Sequence, residues 1–456
     1  MDHKKTIGIF HYQVGYPDGV SLEIEKWKVV LEEMGYKVLL CAGDLGNQTG
    51  TLILEMYHHL PEIERIDRNA FKALSDYDVP EFQVELDRWV KILEGRFTDF
   101  ILSNKIDILM PENLWSVALN LPAAVALENI RRAMNLPAIA HHHDFYWERK
   151  TSITLSCLPV ITLIDKYMPP RDPAIKHVVI NSIAQQELKE RKGITAMVVP
   201  NFIDFDAPAW SSDNYSQDLR SSIGLKENDI VILQATRILP RKGIELAIDF
   251  VKAVNAPQRR AKLQATGLYN GQTFQADSRV VLVLMGSAKD DPTGHYQQQL
   301  KDKAQRVGVD LLCIGDSIAH ARSTRNGKKI YSFWDGYTMA DMVTYPSLWE
   351  GWGNQFLEAL RAYLPIVLFE YAVYQQDIKE KGFNIISLGS EIAGYDLAGL
   401  AQIPDQVIDQ AADQAIELLT DSKKRREVVE HNFLLGQKHY SLNTLRSMLT
   451  QLLSQS

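Results

Sequence analysis

Short apolar runs of strand length recur along the chain, and most are followed by a loop and then apolar residues at helical spacing. Residues 6–10, 37–41, 106–110 and 137–140 are such runs in the first half, and residues 229–235, 280–285, 310–315 and 365–369 in the second. Strands that alternate with helices pair in parallel, because each return to the sheet needs a crossover. The expected fold class is therefore α/β, with two doubly wound parallel sheets. At 456 residues the chain is too long for one ordinary domain, and two of roughly 200 residues each are the default. The polar, irregular residues 207–217 read as the linker between them. No period of 20 to 50 residues repeats through the chain, which excludes a solenoid.

The stretch richest in chemistry is residues 345–360, Tyr-Pro-Ser-Leu-Trp-Glu-Gly-Trp-Gly-Asn-Gln-Phe-Leu-Glu-Ala-Leu. The run ending at Thr344 is a strand, Pro346 and Ser347 end it, and Gly351 and Gly353 lie in a loop. Asn354 reads as the N-cap of the helix implied by Phe356, Leu357 and Leu360. Free N–H groups at such a helix start suit an anion. Glu350 in the loop and Glu358 in the helix add carboxylates for hydroxyl groups. Together these suit a ligand that carries both phosphate and sugar.

A second candidate site follows the strand at residues 229–235. Arg237, Arg241 and Lys242 are three cations within six residues, between a strand end and a helix, and cations so placed suit phosphate oxygens. Near the start, a loop containing Gly15 and Gly19 joins the first strand to a helix whose cap is read as Ser21. That position receives phosphate in many α/β folds, but a tight turn explains the loop equally well, as G-x-G-x-x-G is absent. A P-loop is absent too, which argues against an ATPase.

The strand at 137–140 runs into His141-His142-His143-Asp144-Phe145-Tyr146-Trp147-Glu148-Arg149. Neighbours in an extended segment face opposite ways, so consecutive histidines make a poor ligand set, and no metal is expected. A histidine at the carboxyl end of a strand fits catalysis or sugar contact better. The aromatics could stack on a sugar or pack inward, and Arg149 could hold an anionic acceptor. Asp204-Phe205-Asp206 is read as a loop without metal. Residues 160–163, 177–180 and 198–204 are further strand-length runs, and the basic residues 317–330 read as an insertion or mobile loop.

The formal charge of −8 argues against a general nucleic-acid binder. No apolar run approaches the roughly 20 residues of a membrane span, and no signal-peptide pattern opens the chain. Three cysteines without close spacing, Cys41, Cys157 and Cys313, sit in apolar runs and read as buried free thiols in a reducing compartment. The expected location is the cytoplasm.

Arg237-x4-Lys242, Glu350-x7-Glu358, Pro346-Ser347 and Pro200-Asn-Phe-Ile-Asp204 together resemble the retaining glycosyltransferases of family 4. Two departures stand out: Asp18-Gly19 replaces the family's frequent glycine pair, and Phe202 stands where glycine is common. The resemblance implies the GT-B fold, with two Rossmann-like domains. An acceptor domain would span residues 1–206 plus 441–456, because Tyr440-Ser441 resembles the point where such chains cross back. A donor domain would span residues 218–440.

It implies that Arg237 and Lys242 neutralise a diphosphate leaving group, helped by the amides of Gly19, Gly351 and Gly353 near Asn354. Glu358 would take the ribose hydroxyls, Glu350 the donor sugar, and His143 would lie over that sugar next to Asp144. Tyr146, Trp147 and Arg149 would meet the acceptor. The donor would be a GDP-, UDP- or ADP-linked hexose, with no cofactor and no metal required. The 141–149 segment is similar to that of microbial enzymes making small soluble glycosides such as mannosylglucosylglycerate, which implies a soluble hydroxyl acceptor. Two alternatives are a glycoside hydrolase or phosphorylase using Glu350 and Glu358 as its carboxylates, and a nucleotide-sugar-binding protein without turnover.

Overall fold

The structure, a computed structural model, describes residues 4–149, 153–287, 291 and 293–454, without the side chain of Arg149. The chain divides into two compact units, Met1–Phe202 with Leu442–Ser456, and Ile203–Ser441.

The first unit is built on a seven-stranded parallel sheet. Its strands are β1 (Thr6–His11), β2 (Lys37–Ala42), β3 (Thr51–Leu52), β4 (Ile108–Pro111), β5 (Ala138–His142), β6 (Ile175–Val179) and β7 (Ala196–Val198). They lie in the order β3-β2-β1-β4-β5-β6-β7, so the chain reverses direction across the sheet between β1 and β4. β1 and β4 are buried along their whole length, as strands covered on both faces must be. The first helix, Gly19–Glu33, is capped by Asp18, whose carboxylate accepts from Val20 N and Ser21 N. Ser21 is therefore not the cap. Its hydroxyl donates to Asp18, the acid being the better acceptor at that place.

Residues 160–163 lie in a helix, Leu158–Tyr167, and not in a strand. Val160, Ile164 and Tyr167 fall at helical spacing and are buried, and Pro159 sits in the first turn. The β-branched run Val-Ile-Thr favours a strand by propensity, but burial along one helical face outweighs that propensity. The last helix, Leu442–Ser454, packs on Gly19–Glu33 through Leu445, Leu449 and Leu452. Arg446 pairs with Glu33, and Lys176 Nζ donates to Leu452 O at 2.6 Å.

The second unit holds a six-stranded parallel sheet, ordered β10-β9-β8-β14-β15-β16. These strands are β8 (Ile230–Gln234), β9 (Val280–Leu284), β10 (Asp310–Cys313), β14 (Met342–Tyr345), β15 (Ile366–Leu368) and β16 (Ile386–Ser387). β8 and β14 are neighbours although about 110 residues separate them in the chain.

Residues 317–330 are not a plain loop. β11 (Ile318–Ala319), β12 (Ser323–Arg325) and β13 (Lys328–Ser332) form a small sheet. Two of its cations are taken up by carboxylates: Arg322 bridges Asp213 and Asp335, and Lys329 pairs with Asp218. The same contacts tie down part of the expected linker. Tyr215 Oη donates to Ser323 O and Ile330 O, and Arg361 donates to Ala207 O and Pro208 O. Of the three thiols only Cys41 is buried; Cys157 is half-buried, and Cys313 is exposed at the end of β10, an edge strand. Among the described residues no helix is long and apolar enough to cross a membrane.

Candidate active site

In the second unit, the adjacent strands β8 and β14 release their loops side by side, and those loops carry most of the expected residues. The β8 loop ends in a single turn, Pro240–Lys242, followed by Gly243 in the left-handed region with φ 56°. A Cβ at Gly243 would stand 2.3 Å from Pro346 O, so glycine alone lets the two loops meet here. Leu348 N then donates to Arg241 O at 2.9 Å and fastens them.

Lys242 is ion-paired with Glu350 across this junction, and both side chains are only 9% exposed. Arg241 Nη1 reaches the other carboxylate oxygen at 3.2 Å and Trp349 O at 3.1 Å. Burial pulls the Lys242 ammonium down to about 8, the Arg241 and Arg237 cations add to the fall, and Glu350 opposes it. Burial pushes the Glu350 carboxyl up, but the Lys242 and Arg241 charges and hydrogen bonds win and hold it below its usual range. The pair is thus ionised at neutral pH. Arg237 is exposed, yet close enough for its charge to be felt at Lys242. Arg241 was counted among the cations of the loop but given no role of its own; its adjacency to Lys242 was the available signal.

Beyond the β14 loop the helix is Asn354–Arg361, and its cap is Gly353 with φ 126°. Asn354 is the first helical residue, not the cap. A Cβ at Gly353 would sit 2.3 Å from Tyr371 Oη, and that hydroxyl donates to Trp352 O at 2.6 Å. The tight packing leaves the cap position to glycine. Gly351 lies in the same loop, half-buried. Glu358 Oε2 accepts from Tyr337 Oη at 2.5 Å, and burial followed by the Glu358 charge pushes that phenol well up.

In the first unit the strand alternation is realised at the end of β5. His142 faces one way, its Nε2 3.0 Å from His177 Nδ1, while His141 and His143 turn the other way toward Glu112. Glu112, directly after β4, is fully buried. Its Oε2 is 2.9 Å from His143 Nε2 and 3.0 Å from His141 Nδ1. The second contact lacks hydrogen-bond geometry, and neither the two His141 nitrogens nor Glu112 Oε1 has a hydrogen-bond partner. Burial alone would raise Glu112 and lower His143. The pairing reverses both: Glu112 falls to about 2 and His143 rises, while burial still lowers His141.

Adjacent histidines in a strand face opposite ways, but alternate ones share a face. His141, His143 and the sequence-remote Glu112 bring their ligand atoms within 4.8 Å of one another, a spacing that suits an ion. Glu112 was missed; an acid directly after an all-apolar strand was the signal for it.

Asn113, with φ 56°, accepts from His143 N at 2.7 Å and Asp144 N at 3.3 Å through its side chain. Trp147 stacks on Phe145 at 4.2 Å and donates to Glu187 Oε2 at 2.7 Å. Both rings are buried, so the inward-packing alternative describes them, and Trp147 offers no open face for a sugar. Tyr146 is half-buried, and the Arg149 side chain lies outside the described residues. Gly19 opens its helix beside the Asp18 carboxylate, which already takes the next two amides. Gly15 (φ 78°) lets its loop pack on Leu45 and Asn47, as a tight turn does.

The family of glycosyl transferases group 1 matches residues 216–433. The mannosylglucosylglycerate synthase of Thermotoga maritima is 37% identical over 450 residues, covering 98% of this chain and 99% of its own. Among solved structures, a glycosyltransferase from Rickettsia africae is similar with a TM-score of 0.61 at 12% identity, covering 98% of this chain and 97% of its own. Anabaena HepE, solved in complex with UDP and glucose, is similar with a TM-score of 0.58 at 14% identity, covering 99% of this chain and 100% of its own. The paired parallel sheets, the loops facing each other at β8 and β14, and a full-length match of this strength lead to one conclusion: the chain belongs to the mannosylglucosylglycerate synthase family of GT-B glycosyltransferases.

Proposed function

We propose that the enzyme moves a hexose from a nucleotide diphosphate sugar to a hydroxyl of a small anionic glycoside of the glucosylglycerate type, with retention of configuration. The observation that carries this reading is the buried Lys242–Glu350 pair with Arg241 and Arg237 beside it. A cation already stripped of bulk water can exchange its carboxylate partner for a diphosphate without shedding a hydration shell. Arg237 and Lys242 bind the diphosphate, with the backbone N–H groups of Gly351, Gly353 and Asn354 assisting. Glu350, as Lys242 turns to the phosphates, accepts from hydroxyls of the donor sugar, and Glu358 accepts from the ribose. In the first unit His143 contacts a sugar hydroxyl, Gly19 supplies an amide, and Asp144, Tyr146 and Arg149 serve the acceptor.

In the step itself, the acceptor oxygen bonds to the anomeric carbon as the bond from that carbon to the phosphate oxygen breaks. The hydroxyl proton passes to the departing diphosphate on the same face. Arg237 and Lys242 supply the positive charge that the leaving group needs, and the proposed mechanism includes no metal. The nucleoside diphosphate of the donor is GDP, UDP or ADP, and the hexose is mannose, by analogy with the product that names the Thermotoga relative. The proposed setting is the cytoplasm, where an exposed thiol such as Cys313 stays reduced.

A hydrolase or phosphorylase would need one of Glu350 and Glu358 as a proton donor. Glu350 is held ionised by two cations, which disfavours that role. The test is a panel of mannose and glucose nucleotides against small glycosides and glycerate esters, read by mass spectrometry. A new glycoside with one nucleoside diphosphate released per product supports the proposal. Free sugar alone, or no nucleoside diphosphate with any pair, refutes it.

A further inference from the structure

Glu112 has no part in the scheme above, yet its placement is costly. It is a fully buried carboxylate, and among the described residues the charged or ionisable side chains within ion-pair distance of it are the imidazoles of His141 and His143. Burying an ion costs several kcal/mol after relaxation, and an apolar residue at the end of β4 would avoid that cost. The fold spends it at one place. Glu112 Oε2 holds His143 Nε2 at 2.9 Å, while the next residue, Asn113, holds His143 N at 2.7 Å. The imidazole and its backbone are therefore fixed from two points on one loop. A ring ladder closes the remaining side: Trp27 stacks on His141 at 4.2 Å, and His141 lies 4.2 Å from the ring of His143. His143 is the most exposed of the three groups, at 6% against 1% for His141 and 0% for Glu112.

We infer that Glu112 is the positioning residue for His143. By engaging Nε2 it fixes the ring so that Nδ1 is the nitrogen presented to substrate, with Asn113 setting the backbone from which the ring projects. The inference rests on the proposed contact between His143 and a sugar hydroxyl. Carboxylates that orient a metal-bound histidine carry effects of about 10- to 100-fold, and an effect of that order is expected of an orienting carboxylate here.

The test is a double-mutant cycle of Glu112→Ala and His143→Ala on the full-length enzyme, measuring kcat and KM for the nucleotide sugar. Nucleoside diphosphate affinity and the thermal midpoint serve as folding controls. Glu112→Ala should lower kcat by about 10- to 100-fold with little change in donor KM. It should add little further loss once His143 is already alanine. Glu112→Gln keeps the volume and an acceptor for Nε2, should retain an intermediate rate, and carries the test if the alanine variant fails to fold.

Full activity in Glu112→Ala beside an inactive His143→Ala overturns this inference and leaves the transferase scheme standing. Losses that multiply in the double variant overturn it as well. Full activity in His143→Ala overturns the assigned role of His143 itself. Stoichiometric metal in the purified enzyme that is absent from Glu112→Gln also overturns it, because Glu112 is then a ligand.

Discussion

Lys242 and Glu350, 108 positions apart, form a buried ion pair because β8 and β14 lie side by side and Gly243 lets their loops touch. Removing either partner leaves the other charge buried with less compensation. Lys242→Ala should lower kcat/KM for the donor by about 100- to 1,000-fold, the usual cost of one well-placed cation or donor at a developing negative charge. Glu350→Ala should cost less than that in donor affinity. The double variant should lose less than the two single losses multiplied, because the groups act as a unit. Steady-state kinetics on the four proteins checks this, and simple multiplication of the losses would contradict it.

The pair also sets a pH limit. Lys242 is protonated below about 8 and loses its charge above it, so kcat/KM for the donor should fall as pH rises through that value. A bound diphosphate adds negative charge and raises the ammonium, so the same limb in kcat should lie at higher pH. Glu350→Gln removes a charge that holds the proton on, and should move the kcat/KM limb to lower pH. A limb that stays in place in that variant would show that another group titrates.

Gly243→Ala places a side chain in the left-handed region and against Pro346 O. The backbone strain alone costs on the order of 1–3 kcal/mol. The Lys242 and Glu350 loops must separate to relieve the contact. We expect a donor affinity more than tenfold weaker by calorimetry, with a modest fall in stability. Unchanged affinity would mean that the two loops do not depend on each other.

Arg361 tests the packing of residues 204–208. It is 2% exposed, donates to the carbonyls of Asp204, Ala207 and Pro208, and lies 5.3 Å from the Trp210 ring. Arg361→Ala orphans three carbonyls at roughly 1.5–3 kcal/mol each before relaxation. A loss of about 3–5 kcal/mol in denaturant unfolding of the second unit is expected. A loss within the ordinary surface range of about 0.5 kcal/mol would mean that water replaces the guanidinium without cost.

The α/β pattern was legible because the central strands of both sheets, β1, β4, β8, β9 and β14, are short and buried, and a run such as Val-Val-Leu-Val-Leu at β9 has few other uses. Parallel pairing followed from the helices between them. Local competition was harder to read. Asp18 outcompeted Ser21 for the first cap, Gly353 displaced Asn354 under the pressure of Tyr371, and burial of Val160, Ile164 and Tyr167 along one face made a β-branched run helical. The small sheet at β11–β13 was hidden because Arg322 and Lys329 are matched by acids about 110 positions earlier. Site partners were hidden for the same reason. Neither Lys242–Glu350 nor Glu112–His143 is visible until the strand order is known, since sheet neighbours are not sequence neighbours.

Transfer from a nucleotide sugar with retention is tested most directly by proton NMR of a running reaction. With a mannose nucleotide and a glucosylglycerate-type acceptor, donor loss, nucleoside diphosphate and new glycoside should advance together in equal amounts. The new anomeric proton should carry the same configuration as the donor. An inverted product, or donor consumed to free sugar at the same rate with and without acceptor, would contradict the account.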